Sequence, residues 1–373
     1  MKLNILVLVL LPVLVYAQSL GNGFVALDDE LLILDNTKVH GFTLQNVYDA
    51  FTTYDPELYV PLTILSYQIE YAVFGPNPVV FHATSLLLHI MNTLLVFTVL
   101  RRLLGGGACG AFVLSLLFAV HPLHTEAVAW ASGRKDLLAA TFFLGSLSTY
   151  LAFKATGKRY VLSVVLFALG LLAKVSVAPL PFVLVLIDWL HGERIDRANL
   201  RKKLPYFALA AAFLVVAFFG KQVQVGDLWR PLLLAFVAIP FYLGKLLVPL
   251  NLSIFYPFTD DVTLLHPRIF GGFLLVAAVT IAAILVLRRS RVPAFAWFTF
   301  LLLLAPSFLN VIKGSEVGIN DLYFASDRYA YLPSVALLVA VGSPLALRAS
   351  RWLLLLVLPL AFLTARQSLV WGG

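Results

Sequence analysis

Residues 1–36 read MKLNILVLVLLPVLVYAQSLGNGFVALDDELLILDN. The first half is apolar, and about 20 such residues suffice to cross a bilayer core as a helix. The second half sets Asp28, Asp29 and Glu30 in a row. Only 12% of the 373 residues are charged and 61% are hydrophobic, whereas a soluble domain carries about 25% charged residues. A chain this poor in charge is a membrane protein. Three carboxylates just past its first apolar segment are either a solvated turn ahead of Leu31–Leu34 or part of a site at the membrane surface.

Outward from there, apolar runs recur near residues 79–100, 108–120, 137–153, 160–173, 175–190, 204–220, 231–249, 269–287, 293–312, 329–347 and 352–365. With 3–20 they describe an all-α polytopic membrane protein; a β-barrel would show short alternating segments instead. Basic clusters punctuate the runs at Arg101-Arg102, Lys154–Arg159, Arg194–Lys203, Arg288–Arg291 and Arg348–Arg351. With Lys2 they hold 16 of the 27 basic residues, and their side has 3 of the 19 acidic ones, so it carries +13 against −5 opposite. Basic loops mark the cytoplasmic side. From a cytoplasmic N-terminus the crossings alternate correctly through 204–220. A full crossing at 231–249 would then carry Arg288–Arg291 outside. That segment is therefore expected to be re-entrant or interfacial, broken by Pro240 and Pro249, and bordering protein or a wet cavity. The result is about eleven spans, an outside C-terminus and one domain over 1–373. The first 17 residues also fit a signal peptide, with Lys2, an apolar core and Val15-Tyr16-Ala17. The later spans need a membrane-inserted N-terminus, so a retained first helix is preferred.

On this topology the long connections 21–78, 121–136, 221–268 and 313–328 all face the extracytoplasmic side. Function sits on loops held by a rigid scaffold. The first connection, 21–78, contains FTLQNVYDAFTTY and YVPLTILSYQIEYAVFG, stretches suited to helices lying in the interface plane. The single cysteine, Cys109, permits no intrachain disulfide and no Cys-based metal site. The net charge of +8 lies in short loops between apolar runs, a membrane pattern and not a nucleic-acid one. No Walker motif, Gly-rich phosphate loop or G-x-S-x-G occurs, which removes nucleotide-driven pumping.

Charged groups beside membrane spans are costly, so each is a functional candidate. Neighbouring residues point in different directions, so Asp28 and Asp29 do not form a proton-sharing dyad. One is expected to face a cavity while another anchors the loop. A carboxylate near apolar surface has a raised pKa, which suits a general base. The loop HPLHTEAVAWASGRKD, His121–Asp136, brings His121, His124 and Glu126 at a spacing unlike the zinc-protease helix. Its Arg134 and Lys135 suit an anion clamp, with local surface pairs Arg134–Asp136 or Lys135–Glu126 as the alternative. Lys174, in LLAKVSVAPLP, has no acid near it in sequence; it either snorkels to the interface or meets a ligand phosphate. In SDRYAYLPS, Ser326–Ser334, Arg328 and Tyr331 are phosphate or sugar contacts, or else Asp327–Arg328 is a helix-starting ion pair in an aromatic belt.

Three of these stretches, HPLHTEAVAWASGRKDLLAATFFLGSLSTY (121–150), GLLAKVSVAPLPFVLVLIDWL (170–190) and DRYAYLPSVALL (327–338), together resemble the membrane part of the transmembrane-and-TPR O-mannosyltransferases and their prokaryotic relatives. The likeness runs from about Phe24 to Trp371, and 121–150 is its most specific block. It implies the GT-C glycosyltransferase fold and a transferase using a polyprenyl-phosphate sugar. It also implies an acidic base in the first outside loop, which falls on Asp28 or Asp29 here. In that family a TPR array follows the last span on the outside. This chain ends at Gly373, where the array would begin, which puts acceptor recognition in doubt. Val175 stands where some relatives carry an acid.

The chemistry agrees with that resemblance. A hydroxyl attacking a sugar C1 must lose its proton to one base. The leaving lipid phosphate is already a stable anion, so no second carboxylate is needed as acid, unlike a glycosidase. It does need positive charge around it. The expected site has Asp28 or Asp29 as base. Arg134, Lys135, Lys174 and Arg328, with His121, His124, Glu126 and Tyr331, surround the donor phosphate and sugar. The expected reaction moves a sugar, mannose by the resemblance, to a Ser/Thr hydroxyl of exported protein or a glycan hydroxyl. It proceeds with inversion, without a cofactor, in a prokaryotic plasma membrane or the ER membrane. A divalent metal is disfavoured, and nucleic acid is not a partner. The alternatives are a lipid-linked-sugar flippase or a noncatalytic scaffold. A flippase calls for polar groups at the bilayer midplane and inverted repeats, and the runs here are clean with polar groups at their ends.

Overall fold

The computed structural model describes residues 2–105, 108–220, 229–308, 322–342 and 350–372. The expected connections at 221–228 and 313–321, the turn at Gly106-Gly107 and the basic residue Arg348 lie outside the described residues. The apolar runs become helices. In chain order these include α1 (Lys2–Tyr16), α2 (Leu44–Thr52), α3 (Pro61–Phe74), α4 (Pro78–Leu103), α5 (Ala108–Ala119), α6 (Thr125–Ala129), α7 (Arg134–Thr156) and α8 (Tyr160–Ala173). They continue with α9 (Leu180–Leu190), α10 (Arg197–Arg201), α11 (Leu204–Gly220), α12 (Trp229–Leu247), α13 (Pro267–Val286), α14 (Val292–Phe308), α15 (Tyr331–Val341) and α16 (Val357–Leu369). Local signals set many ends. Pro61, Pro78 and Pro267 occupy first-turn positions where their missing N–H costs nothing. Gly157 closes α7 in the left-handed region.

By length and composition, five helices can cross a membrane, α1, α4, α7, α12 and α13, with α1 and α7 each counted with its adjoining 3-10 turn. A sixth candidate is the pair 109–119 and 122–129, bent by 55°. Five shorter apolar helices accompany them. Between membrane helices, packing and hydrogen bonds do what water exclusion does in a soluble core. Ser146 on α7 and Ser163 on α8 each donate a side-chain hydrogen bond to the other's carbonyl at 2.7 Å. Tyr206 of α11 donates to Ser163 Oγ at 2.8 Å. α1 packs into the same core through Leu8 and Tyr16, both fully buried. The outer faces stay apolar and exposed, as at Leu274, Ile281 and Leu285.

Two sequence expectations change. The segment 231–249 is not broken at Pro240: α12 runs through it and ends at Leu247, ahead of Pro249. The bend expected there occurs in the described residues at 119–122 instead. The charge parity behind the expectation nonetheless has a structural counterpart. Val216, in the last turn of α11, accepts a hydrogen bond from Tyr54 of the first loop. Leu246, near the end of α12, meets His121 at 3.1 Å. The chain therefore leaves and returns at one end of the bundle. In the first loop, α2 exposes Leu44, Tyr48 and Phe51 on one face. α3 is packed more deeply than an interfacial helix, burying Ile64, Tyr67, Gln68 and Glu70.

α7 fixes the polar ends of the molecule. Lys135 and Lys154 are nineteen positions apart on it, roughly 28 Å at 1.5 Å per residue, close to the thickness of a hydrocarbon core. At the Lys154 end, Asp188 of α9 bridges Lys154 at 2.6 Å and Lys203. At the other end lie the charged loops that the sequence singled out. A small antiparallel sheet, β1 (Tyr256–Phe258) with β2 (Leu322–Ala325), closes over that end, pairing Tyr256 with Ala325.

Candidate active site

The site is built around the bend between α5 and α7. Pro122 cannot extend α5, and His121 caps the next turn, its Nδ1 accepting from the Leu123 amide. His124 Nδ1 bonds the Phe118 carbonyl at 2.8 Å, holding the bend from inside. α6 follows, then a 3-10 turn over Ala131–Gly133. Only glycine fits at Gly133: a Cβ would lie 2.8 Å from the Ala127 carbonyl oxygen and 2.9 Å from that of Glu126. α7 starts on the next residue, so Arg134, Lys135 and Asp136 leave its first turn in three directions.

Asp28 and Asp29 reach this turn from the first loop. Asp29 is fully buried and accepts the Ser132 amide at 2.8 Å and the Val25 amide at 3.0 Å, one on each oxygen. Burial pushes its carboxyl above the ordinary range, against those hydrogen bonds. Asp28 instead has a 42% exposed side chain and meets Lys135 Nζ through Oδ2 at 2.7 Å. Glu30 begins a π-helical turn, Glu30–Leu34, and is exposed.

Two further cations lie across from Lys135. Lys174 meets Asp136 Oδ1 at 2.5 Å. Arg328 is paired with Glu126, whose second oxygen accepts the Arg328 amide at 2.8 Å. The Trp130 ring lies near both Lys135 Nζ, 5.4 Å from its centre, and the Arg328 guanidinium, at 5.1 Å. The Tyr329 ring is likewise close to both Arg328, at 4.9 Å, and Lys174, at 5.5 Å. A cleft beside this pair is lined by the polar residues Asp136, Lys174, Ser176, Ser307 and Arg328 and by the apolar residues Leu303, Pro306, Leu332 and Pro333. Among the described residues, Asp136 Oδ2 and Arg328 Nε have no hydrogen-bond partner.

Several expected ligands turn out to be framework. Arg134 has no exposure: it pairs with Glu70 at 2.7 Å, donates to the Phe81 carbonyl at 2.9 Å and lies over the Tyr67 ring at 4.7 Å. It ties α7 to α3 and α4 and cannot reach an anion in the cleft. His121 and His124 are consumed by the carbonyls of Leu246 and Phe118 and by Ser334. The Tyr331 hydroxyl bonds His89 at 2.8 Å and Asn92 at 3.2 Å, so only its ring borders the cleft. Glu126 is the counter-ion of Arg328. Neither local surface pair occurs among the described residues, because each of these four groups is paired elsewhere: Arg134 with Glu70, Lys135 with Asp28, Asp136 with Lys174 and Glu126 with Arg328. Asp327 does not pair with Arg328 either. It accepts from the Tyr256 hydroxyl at 2.9 Å, and burial, then the nearby Glu126 charge, pushes its carboxyl up to about 8. Sequence reasoning missed Glu70, Trp130 and Tyr329. Glu70 had a signal, as a lone acid in an apolar helical stretch. Among the described residues no three His, Cys, Asp or Glu side chains gather as a metal-ligand group.

The whole backbone matches ArnT from Cupriavidus metallidurans, solved bound to undecaprenyl phosphate, with a TM-score of 0.51 at 14% identity, over 98% of this chain and 75% of that one. The chain has the GT-C glycosyltransferase fold. Residues 60–219 match the family model described as dolichyl-phosphate-mannose-protein mannosyltransferase. Protein O-mannosyl-transferase Tmtc2 of Drosophila melanogaster is 30% identical over 277 residues, 66% of this chain and 29% of that protein. Mouse TMTC4 is 42% identical over 115 residues, 27% of this chain and 16% of its own length. Human TMTC3 is 35% identical over 143 residues, 36% of this chain and 15% of its own. The resemblance seen in the sequence is thus borne out, for a multi-pass membrane protein of the GT-C fold. The chain spans less than a third of the length of these curated relatives.

Proposed function

We propose that this chain transfers a sugar, mannose by its relatives, from a polyprenyl-phosphate donor to a hydroxyl acceptor, a Ser or Thr of an exported protein, on the extracytoplasmic side. One observation carries the reading. The cations Lys174 and Arg328, from the α8–α9 junction and the segment before α15, line one cleft together with apolar residues of α14 and α15. The cleft suits a lipid phosphate, with Lys174 and Arg328 for the phosphate and the apolar lining residues for the first isoprene units. Arg328, held by Glu126, is the fixed point charge; such preorganised charge is what a developing phosphate anion needs. Asp28 is the base, because it is the exposed member of the acidic pair. The reaction as written draws on no resident metal, and transfer is expected to survive chelation by EDTA.

The deciding experiment assays Asp28→Asn and Asp29→Asn with dolichyl phosphate mannose and a Ser/Thr peptide. Loss of a general base lowers the rate by about 10²–10⁴-fold, and that loss is expected for Asp28→Asn. Full activity in both variants would sink the assignment. Donor binding without any transfer by the unaltered chain would favour the noncatalytic scaffold.

A further inference from the structure

Lys135 carries the same charge as Lys174 and Arg328 but faces a different way. It is not among the residues lining the cleft. Its side chain is 4% exposed, its ammonium is engaged by Asp28 at 2.7 Å, and it lies against the Trp130 ring. The pair it makes is also rigidly mounted. Asp29, next to Asp28, grips the Ser132 amide three residues before Lys135, so one loop is fastened to one helix start at two neighbouring points. Given the reading of Asp28 as base, we infer that Lys135 is a positioning residue for that base and not a ligand of the donor phosphate.

An opposite charge within a few ångströms favours the ionised carboxylate. Asp28 can take the acceptor proton only when ionised, and the ammonium 2.7 Å away favours that form. Lys135 keeps it ionised and aimed. In the transfer step the acceptor oxygen bonds C1 as the bond from C1 to the phosphate oxygen breaks. The electron pair leaves with polyprenyl phosphate, and the acceptor proton moves to Asp28. Lys135 neither gains nor loses a proton. Other titratable and charged groups near this corner are Asp29 on the same loop, Tyr67 and Glu70 of α3, His82 of α4 and Arg134 of α7, with Lys174 and Arg328 near Lys135.

The test compares the full chain with Lys135→Met and Lys135→Arg. Removing the cation raises the pKa of the base, so the acid limb of kcat/KM is expected to move up by about one pH unit in Lys135→Met, and to return in Lys135→Arg. A second measurement needs no activity: the pH midpoint at which a water-soluble carbodiimide labels Asp28, read by peptide mass spectrometry. It is expected to rise in Lys135→Met and stay put in Lys135→Arg. Binding of dolichyl phosphate by Lys135→Met is expected to match the unaltered chain. An unmoved labelling midpoint overturns the inference, and tenfold weaker dolichyl phosphate binding with an unmoved acid limb makes Lys135 a phosphate ligand. If the unaltered chain neither transfers nor binds, the proposed function fails, while the labelling midpoint still decides whether Lys135 controls Asp28.

Discussion

Asp28 and Asp29 differ by one position and by everything that sets carboxylate chemistry. Asp29 has one backbone amide on each oxygen and no exposure, so its carboxylate holds the loop. Asp29→Asn would turn an NH₂ toward one of those amides and leave a buried donor without an acceptor, a cost of about 1–3 kcal/mol. Thermal unfolding in detergent should register that loss. Transfer should fall through a displaced Asp28, yet keep the acid limb of the unaltered chain, because the titrating base is the same. A variant that is fully stable but inactive would mean Asp29 is the base. That charged residues beside spans matter was readable in the sequence, since charge is costly there. Which charges pair was not. The partners lie at 28 and 135, 70 and 134, 126 and 328, and 136 and 174. Arg134 and Lys135 read alike as an anion clamp, and a rotation of about 100° around α7 sends one into an aromatic box and the other to Asp28.

At the scale of elements, the bend from α5 to α7 is the device that turns a span into a site. The sequence showed the loop and its proline but not its depth, because a stretch rich in His, Glu, Arg and Lys reads as solvated. In the structure, nearly every residue from His121 to Lys135 is buried, and each charge there has a partner from another element. Gly133 is where this packing is tightest. In Gly133→Ala the new methyl would press on two backbone oxygens, which cannot swing aside as a side chain could. Overpacking of this kind costs about 1–3 kcal/mol. The shift would also move Ser132 off Asp29, so transfer should drop along with the melting temperature. Gly145→Ala, whose methyl would meet only the Leu166 side chain at 3.5 Å, is the matched control. Equal effects from the two substitutions would show that the turn at Gly133 has no special place in the site.

For the whole molecule, the governing fact is that charge collects at the two ends of α7 and little lies between. One end holds Asp28, Lys135, Asp136 and Lys174; the other holds Lys154, Asp188 and Lys203. The sequence carried this division in its basic clusters, because each short loop must lie on one side or the other. It did not carry the path of α12, since a proline inside an apolar run permits a break, a kink or a bent helix alike. Sidedness can be measured directly. In a Cys109→Ser background, single cysteines at Ala26 and Asp261 should react with a membrane-impermeant maleimide on intact cells, whereas cysteines at Lys158 and Arg194 should react only after permeabilisation. All four positions are exposed, so burial does not confound the reading. A cysteine at Asn251 should follow Ala26, because the chain returns near Leu246 to the end that it left near Val216. Labelling of Asn251 with the Lys158 set would place the end of α12 on the cytoplasmic side, separating β1 from the loop that holds Asp28, and would dismantle the arrangement of the site as well as the topology.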